Sequence, residues 1–231
     1  MPTYLGATTS APRPDKQPPL ESGDRLTRET FELRYLERPG IHKAELIEGV
    51  VYVASPVRVE THARPHAHII TWLGTYIAST PGVQMADNAT LRLDVDTEVQ
   101  PDACMWIDGG RVQISEDDYL EGAPELIIEV AASSASYDLH DKLGAYQRNR
   151  VQEYLVLLAY EQRARWHVWA DEAYQMLQPD EQGALRSQVF PGLHFHPSRF
   201  WAGDLAGVLE VLKNGLETTE HATFVRDLQQ K

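Results

Sequence analysis

The sequence holds a single cysteine, Cys104, so an internal disulfide framework and a cysteine-only zinc site are both excluded. No apolar run approaches the ~20 residues that span a bilayer, and the N-terminus lacks the apolar stretch of a secretory signal. Positive charge is scarce as well. Twenty-one Lys and Arg stand against 34 Asp and Glu, a formal net charge of −13 at pH 7. That balance argues against a protein that coats nucleic acid or an anionic membrane by bulk attraction, but not against a small, locally polarised site. There is no internal repeat, no HExxH helix, no zinc-finger spacing and no G-x-S-x-G elbow. A soluble cytoplasmic protein without a membrane partner is the expectation.

What remains is a chain of 231 residues, 42% of them hydrophobic, enough to build a core. Met1 to Arg25 carries five prolines and almost no apolar periodicity, and is expected to be a mobile tail. Structure is expected to start near Thr27, which can cap a helix bearing Phe31, Tyr35 and Leu36, stopped by Pro39-Gly40. Ala44 to Ile47 and Val50 to Ala54 flank Glu48-Gly49, the pattern of a hairpin. Ile69, Ile70, Trp72, Leu73, Tyr76 and Ile77 recur at helical spacing until Thr80-Pro81-Gly82. Strands are expected at Val83 to Met85, Thr90 to Leu93 and Val99 to Ile107, followed by an acidic loop from Asp108 to Gly122.

Leu126 to Val130 is nearly all apolar, as in a central strand covered on both faces. A helix capped by Ser134 or Ser136 should then run to about Asn149, followed by a buried strand at Glu153 to Leu158. Arg163 to Ala170 alternates like a half-exposed antiparallel strand, and Ala173 to Leu177 and Arg186 to Val189 continue that meander. Asp204 to Leu228 reads as a C-terminal helical appendage. The fold class is α/β, a mixed sheet with helices before and after its central strands.

Three residues stand out chemically. Asp102 follows Pro101, which cannot donate to a ladder, so Asp102 belongs at a strand start or an edge bulge. Glu129 interrupts an apolar strand, where a carboxylate is expensive unless paired or holding a metal. On neighbouring strands the two would make a hard-oxygen site for Mg²⁺ or Mn²⁺; Glu129 could instead pair with a buried arginine. Lys142 lies one helical turn beyond Asp138. It is either half of an exposed ion pair or a cation aimed at the metal, orienting water and stabilising charge on a phosphate. The cluster His62, His66 and His68 is better read as solvated than as a metal site. Ser133, Ser134 and Ser136 are better read as helix caps than as nucleophiles, and Cys104 as a buried inert thiol.

The succession Glu45-Leu46-Ile47-Glu48-Gly49, Ser55-Pro56, Gln100-Pro101-Asp102, Glu121 to Leu126, Glu129-Val130 and Asp138 to Lys142 resembles one family. The later Tyr146, Glu153-Tyr154 and Phe190-Pro191-Gly192-Leu193 belong to the same pattern. The family is the Uma-type restriction endonuclease family of the PD-(D/E)XK nuclease superfamily, and the likeness runs from about Phe31 to Trp201.

The resemblance implies a restriction-endonuclease-like core at residues 26–202, between a tail at 1–25 and a helical extension at 203–231. It implies that Asp102 and Glu129 bind Mg²⁺ or Mn²⁺, with the Val130 carbonyl as a further ligand. Lys142 would assist water attack on a DNA phosphodiester. It also makes Glu45 an auxiliary acid, where the residues alone allow a surface hairpin glutamate. His66 becomes either a phosphate contact or a cap of the first long helix, and Asp138 the support for Lys142. Two residues past Glu129, where the superfamily commonly has its lysine, stands Ala131, so the cation would come from the following helix. Ala132-Ser133-Ser134 and Leu158 also depart from the family pattern, at positions that should not ligate metal.

Positive field is expected from the segment His62 to His68 and from Arg148, Arg150, Arg163 and Arg165. The competing reading is a catalytically inactive nuclease-fold binding or scaffold module. It would form protein–protein contacts, with a homodimer through Trp166, Trp169 and the C-terminal helix as one form, and the −13 charge favours it.

Overall fold

The computed structural model describes residues 18–37, 40–41 and 43–230. The expected tail lies outside the described residues up to position 17, and so does Pro39. From Leu20 onward the chain is already docked, earlier than the prolines suggest. Leu20 is 4% exposed and sits in an apolar cluster with Phe31, Leu46 and Val51. The Gly23 N–H donates to the Val51 carbonyl at 2.8 Å, and Arg25 bridges Val50.

Helix α1 (Arg28–Leu36) begins at Thr27, whose hydroxyl accepts from the Thr30 N–H at 3.3 Å. Strands β1 (Ala44–Ile47) and β2 (Val50–Val53) then form an antiparallel hairpin. Its turn residues Glu48 and Gly49 both have positive φ, 50° and 75°. This is the turn whose twist matches the flanking strands and for which glycine is the natural choice. A π-helical turn (Val59–Ala63) leads into α2 (Arg64–Ala78), which has Pro65 in its first turn. Ile69, Trp72, Leu73 and Tyr76 form its buried face.

Next come β3 (Val83–Ala86), β4 (Leu91–Arg92), β5 (Glu98–Val99) and β6 (Ala103–Ile107). The single strand expected over Val99 to Ile107 is two. Pro101 has no N–H to give a ladder, and the segments on either side of it enter different sheets. The stretch expected as loop contains short strands β7 (Gln113–Ile114) and β8 (Leu120–Glu121). After β9 (Leu126–Ala131), the single helix expected to Asn149 is divided at Leu139-His140 into α3 (Ala135–Asp138) and α4 (Asp141–Arg148). Ser134 stands at the cap position of α3, but its side chain bonds no N–H of that helix.

Strands β10 (Glu153–Leu158), β11 (Arg163–Ala170) and β12 (Ala173–Met176) follow. The expected meander ends there, because β13 (Leu185–Arg186) pairs with β14 (His194–Phe195) instead. Helices α5 (Pro197–Trp201), α6 (Leu205–Leu216) and α7 (Thr219–Leu228) complete the order.

The strands make two six-stranded mixed sheets, β2-β1-β5-β4-β8-β7 and β12-β11-β10-β9-β6-β3. In the second, β9 is parallel to β10 and antiparallel to β6. Alternation along β9 serves two cores, as a strand covered on both faces requires. Leu126, Ile128 and Val130 join a cluster with Trp72 and Trp166, whereas Ile127 and Ala131 join one with Tyr146 and Tyr154. Val208 and Leu212 of α6 lie in the first cluster, so the residues expected as an appendage share the core of this sheet. Trp166 is fully buried there and offers nothing to a subunit contact. Among the described residues no helix is long and apolar enough to cross a membrane.

Candidate active site

Glu129 occupies the middle of β9, on the same side as Ile127 and Ala131 by strand parity. The antiparallel register of β6 on β9 pairs Ala103 with Ile128, so Asp102, one residue earlier, falls next to Glu129. One oxygen of Asp102 accepts the Val130 N–H at 2.7 Å. Glu45 arrives from β1 in the other sheet, where it accepts the Gln100 N–H at 2.8 Å. Lys142, in the first turn of α4, completes the group. Its Nζ lies 2.8 Å from Glu129 Oε1, 2.9 Å from Glu45 Oε2 and 3.7 Å from Asp138 Oδ1. The Tyr146 hydroxyl donates to the same Glu129 oxygen at 3.1 Å.

Two sheets and one helix thus bring Glu45, Asp102, Glu129 and Lys142 together, with Asp138 behind the lysine. Glu45 is only 5% exposed, unlike a surface hairpin glutamate. The Asp138–Lys142 pair is buried rather than exposed, and the partner of Glu129 is a lysine rather than an arginine.

One ammonium faces three carboxyl groups in a dry pocket, and that imbalance sets the electrostatics. Burial opposes charge on Lys142, but Glu129, Glu45 and Asp138 together hold its pKa well above the ordinary lysine value. Burial pushes Glu129 up to about 8; Lys142 opposes the shift, and Asp102, Asp138 and Glu45 reinforce it. Asp138 is raised for the same first reason. Burial and mutual repulsion thus favour a carboxyl proton within the group, beside a charged lysine. Asp102 goes the other way. Burial would raise it, but the His62 contact, Lys43 and the Val130 N–H hold it well below the usual carboxylate range.

The open side of Asp102 faces a cleft of about 620 Å³. Lys43 Nζ stands 3.6 Å and His62 Nε2 3.4 Å from Asp102 Oδ1. His62 Nδ1 also donates to the Val130 carbonyl at 3.0 Å. With an acceptor at each ring nitrogen, and its contact to Asp102 as the main cause, the His62 pKa is raised. His66 does not cap α2. Its Nε2 donates to the Asp102 carbonyl at 2.9 Å and lies 3.0 Å from Asp87.

Lys43 escapes a reading by motif, while Tyr146 and His62 stand out in the sequence without a role at this group. A signal for Lys43 existed, since it stands two residues from Glu45 and shares its strand parity. His62 lies in the irregular stretch before α2, where periodicity says nothing. The expected field of arginines is elsewhere. Arg148 pairs with Glu48 and Asp94, Arg150 lines a separate depression with Arg111 and Trp169, and Arg163 and Arg165 do not line the cleft. His68 packs edge-on against Phe200. Cys104 is buried, and burial pushes its thiol up to about 12, so it is inert.

Among the described residues no three His, Cys, Asp or Glu side chains are grouped as metal ligands. The oxygens expected to hold a metal are fewer and harder, the carboxyl groups of Asp102 and Glu129 and the Val130 carbonyl, all from residues lining the cleft, with the carbonyl also engaged by His62 Nδ1. An all-oxygen set with one or two carboxylates suits Mg²⁺, which keeps several of its waters, and does not suit a soft metal.

The architecture is that of a nuclease-like α/β protein. It is similar to a crystal structure from Anabaena variabilis ATCC 29413 described as "a putative nuclease belonging to DUF820". The TM-score is 0.57 at 15% identity, covering 73% of this chain and 96% of that one, a likeness of fold. Residues 28–198 match the model of the Uma2 family, described as "Putative restriction endonuclease", and the chain belongs to that family. No curated protein matches the sequence.

Proposed function

We propose that the chain is a metal-dependent endonuclease that hydrolyses DNA phosphodiester bonds at the Asp102–Glu129–Lys142 group. The observation that carries this reading is the convergence of two strand-borne carboxyls and a buried lysine, far apart in sequence, at the floor of one cleft. Family membership and the nuclease-like fold support the class of reaction. In this reading Asp102 and Glu129, with the Val130 carbonyl, hold Mg²⁺ or Mn²⁺. When bound, such an ion polarises a phosphate oxygen and makes a coordinated water more acidic.

The chain's own groups do the rest. Lys142 donates to the attacking water and offsets charge that builds on the phosphate. Glu45 and Asp138 hold the ammonium in place from behind. The water oxygen bonds to phosphorus and gives up a proton to solvent in the cleft, one P–O ester bond breaks, and the departing oxygen takes up a proton from solvent, leaving a phosphate end and a hydroxyl end. His66, bonded to the backbone of Asp102, steadies the start of β6.

Incubation with plasmid DNA and Mg²⁺ or Mn²⁺ tests the reading. Cleavage by the natural chain and its loss in Asp102→Ala are expected; equal cleavage by both rejects the site, and none by either rejects the activity. A rise in melting temperature on adding Mn²⁺ is expected too, and should vanish in Glu129→Ala. A non-catalytic module draws on the −13 charge, but it leaves a costly buried cluster with no use.

A further inference from the structure

The mouth of the cleft carries features that the buried charges do not use. Val57 and Tyr160 line it while 66% and 64% exposed. Val57 comes from the segment between β2 and the π-helical turn, and Tyr160 from the turn joining β10 to β11. The two segments follow strands of different sheets and meet at one cleft, whose lining includes Glu129. Arg58, also at the mouth, is exposed and makes no ion pair among the described residues. Apart from the buried Lys142, the permanent cations lining the cleft among the described residues are Lys43 and Arg58.

Two chemical facts narrow what fits such a mouth. A duplex hides its base faces and presents a charge about every 1.7 Å along its axis, which rewards a broad basic surface. An unpaired strand spreads its charges to about 3.4 Å and exposes base faces that stack on aromatic and apolar side chains whatever their sequence. One exposed tyrosine, one exposed valine and two cations match the second partner.

We propose that the cleft takes its substrate as an unpaired DNA strand, with a base stacked on Tyr160 and a phosphate held by Arg58. This rests on the phosphodiester reading above and supplies its substrate class: single-stranded DNA, or the frayed or flapped end of a duplex. Val57 offers an apolar surface at the same mouth. Lys43 is kept near Asp102 and serves the phosphate closest to the reacting bond.

The test compares one labelled DNA sequence, single-stranded or annealed to its complement, by fluorescence anisotropy on Asp102→Asn protein with Mg²⁺. The single strand should bind at least about tenfold more tightly. Adding Tyr160→Ala should weaken that binding about tenfold, the loss of one stacking contact, whereas Tyr160→Trp should preserve it. Because Tyr160 is exposed, neither change should move the melting temperature. Equal or tighter binding of duplex, indifference to Tyr160→Ala, or no binding of either DNA overturns the proposal. Cleavage by the natural chain is scored separately. Tyrosine-dependent strand binding without any cleavage would leave the inference standing and remove the nuclease reading. Cleavage of duplex at the single-strand rate would do the reverse.

Discussion

Lys142 is 2% exposed and has three carboxyl groups within 4 Å, so its removal leaves acids stranded in a dry pocket. Lys142→Ala should abolish cleavage and also cost about 3–5 kcal/mol of stability at pH 8. The sign of the pH dependence follows from the partners. Without the ammonium, the folded-state pKa values of Glu129 and Asp138 rise further above their unfolded values near about 4. On Glu129 the two folded proteins bind different numbers of protons only above the natural chain's value of about 8, so this part of the penalty must grow as pH rises past about 8 and stay level below it. Urea denaturation of both proteins at pH 6 and pH 9 reads this directly.

Glu153 gives a second titration at this scale, remote from the cleft. Burial pushes its carboxyl up to about 7, against hydrogen bonds from the Ser187 hydroxyl and the Gln188 and Val189 N–H groups. The unfolded chain ionises from about pH 4.5 while the folded chain keeps its proton. This residue should therefore remove about 3 kcal/mol of stability between pH 4.5 and pH 7. Glu153→Gln, which imitates the protonated form, should flatten that part of the curve relative to the natural chain. A melting series across the interval checks it.

At the scale of elements, the strands were legible where burial and alternation agreed. Glu153 to Leu158 and Arg163 to Ala170 fall where their patterns put them. The misses share one cause, a local break whose reason is tertiary. Pro101 splits an apolar run because its two halves serve different sheets. The helix expected after β9 is interrupted at Leu139-His140, and the Tyr154 hydroxyl donates to the Asp138 carbonyl at 3.0 Å there, a partner no local pattern reveals. The candidate site was legible through charges that interrupt apolar runs, Glu129 above all. Lys43 had only its parity with Glu45 as a signal, and the place of His62 beside Asp102 became visible only in three dimensions.

The Phe190-Pro191-Gly192-Leu193 turn has a use that shows only in packing. A Cβ on Gly215, near the end of α6, would lie 2.2 Å from the Gly192 carbonyl oxygen. Helix and turn must part to admit it. Gly215→Ala should lower stability by about 1–3 kcal/mol despite alanine's better helix propensity. Denaturant midpoints of the two proteins measure the difference.

For the whole molecule, the −13 charge means that any nucleic acid is bound against the mean field, through a few local cations. Salt dependence should accordingly be shallow, with a log–log slope of about −0.7 for each phosphate neutralised on a single strand. Arg58→Ala should flatten that slope by about 0.7. A titration of affinity from low to moderate salt decides it. The fold class was readable from the order of elements, since helices before and after apolar strands imply a covered mixed sheet. The extension of the β1–β2 hairpin into a six-stranded sheet was not, because its other four strands, β4, β5, β7 and β8, have two residues each and are too short to announce themselves.

Strands β9 and β10 run in the same direction, so both release their chains at one end of the sheet. The turns that follow contribute Ala132, Ser133, Ser134 and Tyr160 to the wall of the cleft, but none of the four side chains gathered at its floor. On the proposed function, selection of a guest and chemistry upon it fall to separate stretches of polypeptide. Descendants of this chain can lengthen, shorten or exchange those turns, acquiring new targets while the reactive centre stays as it was.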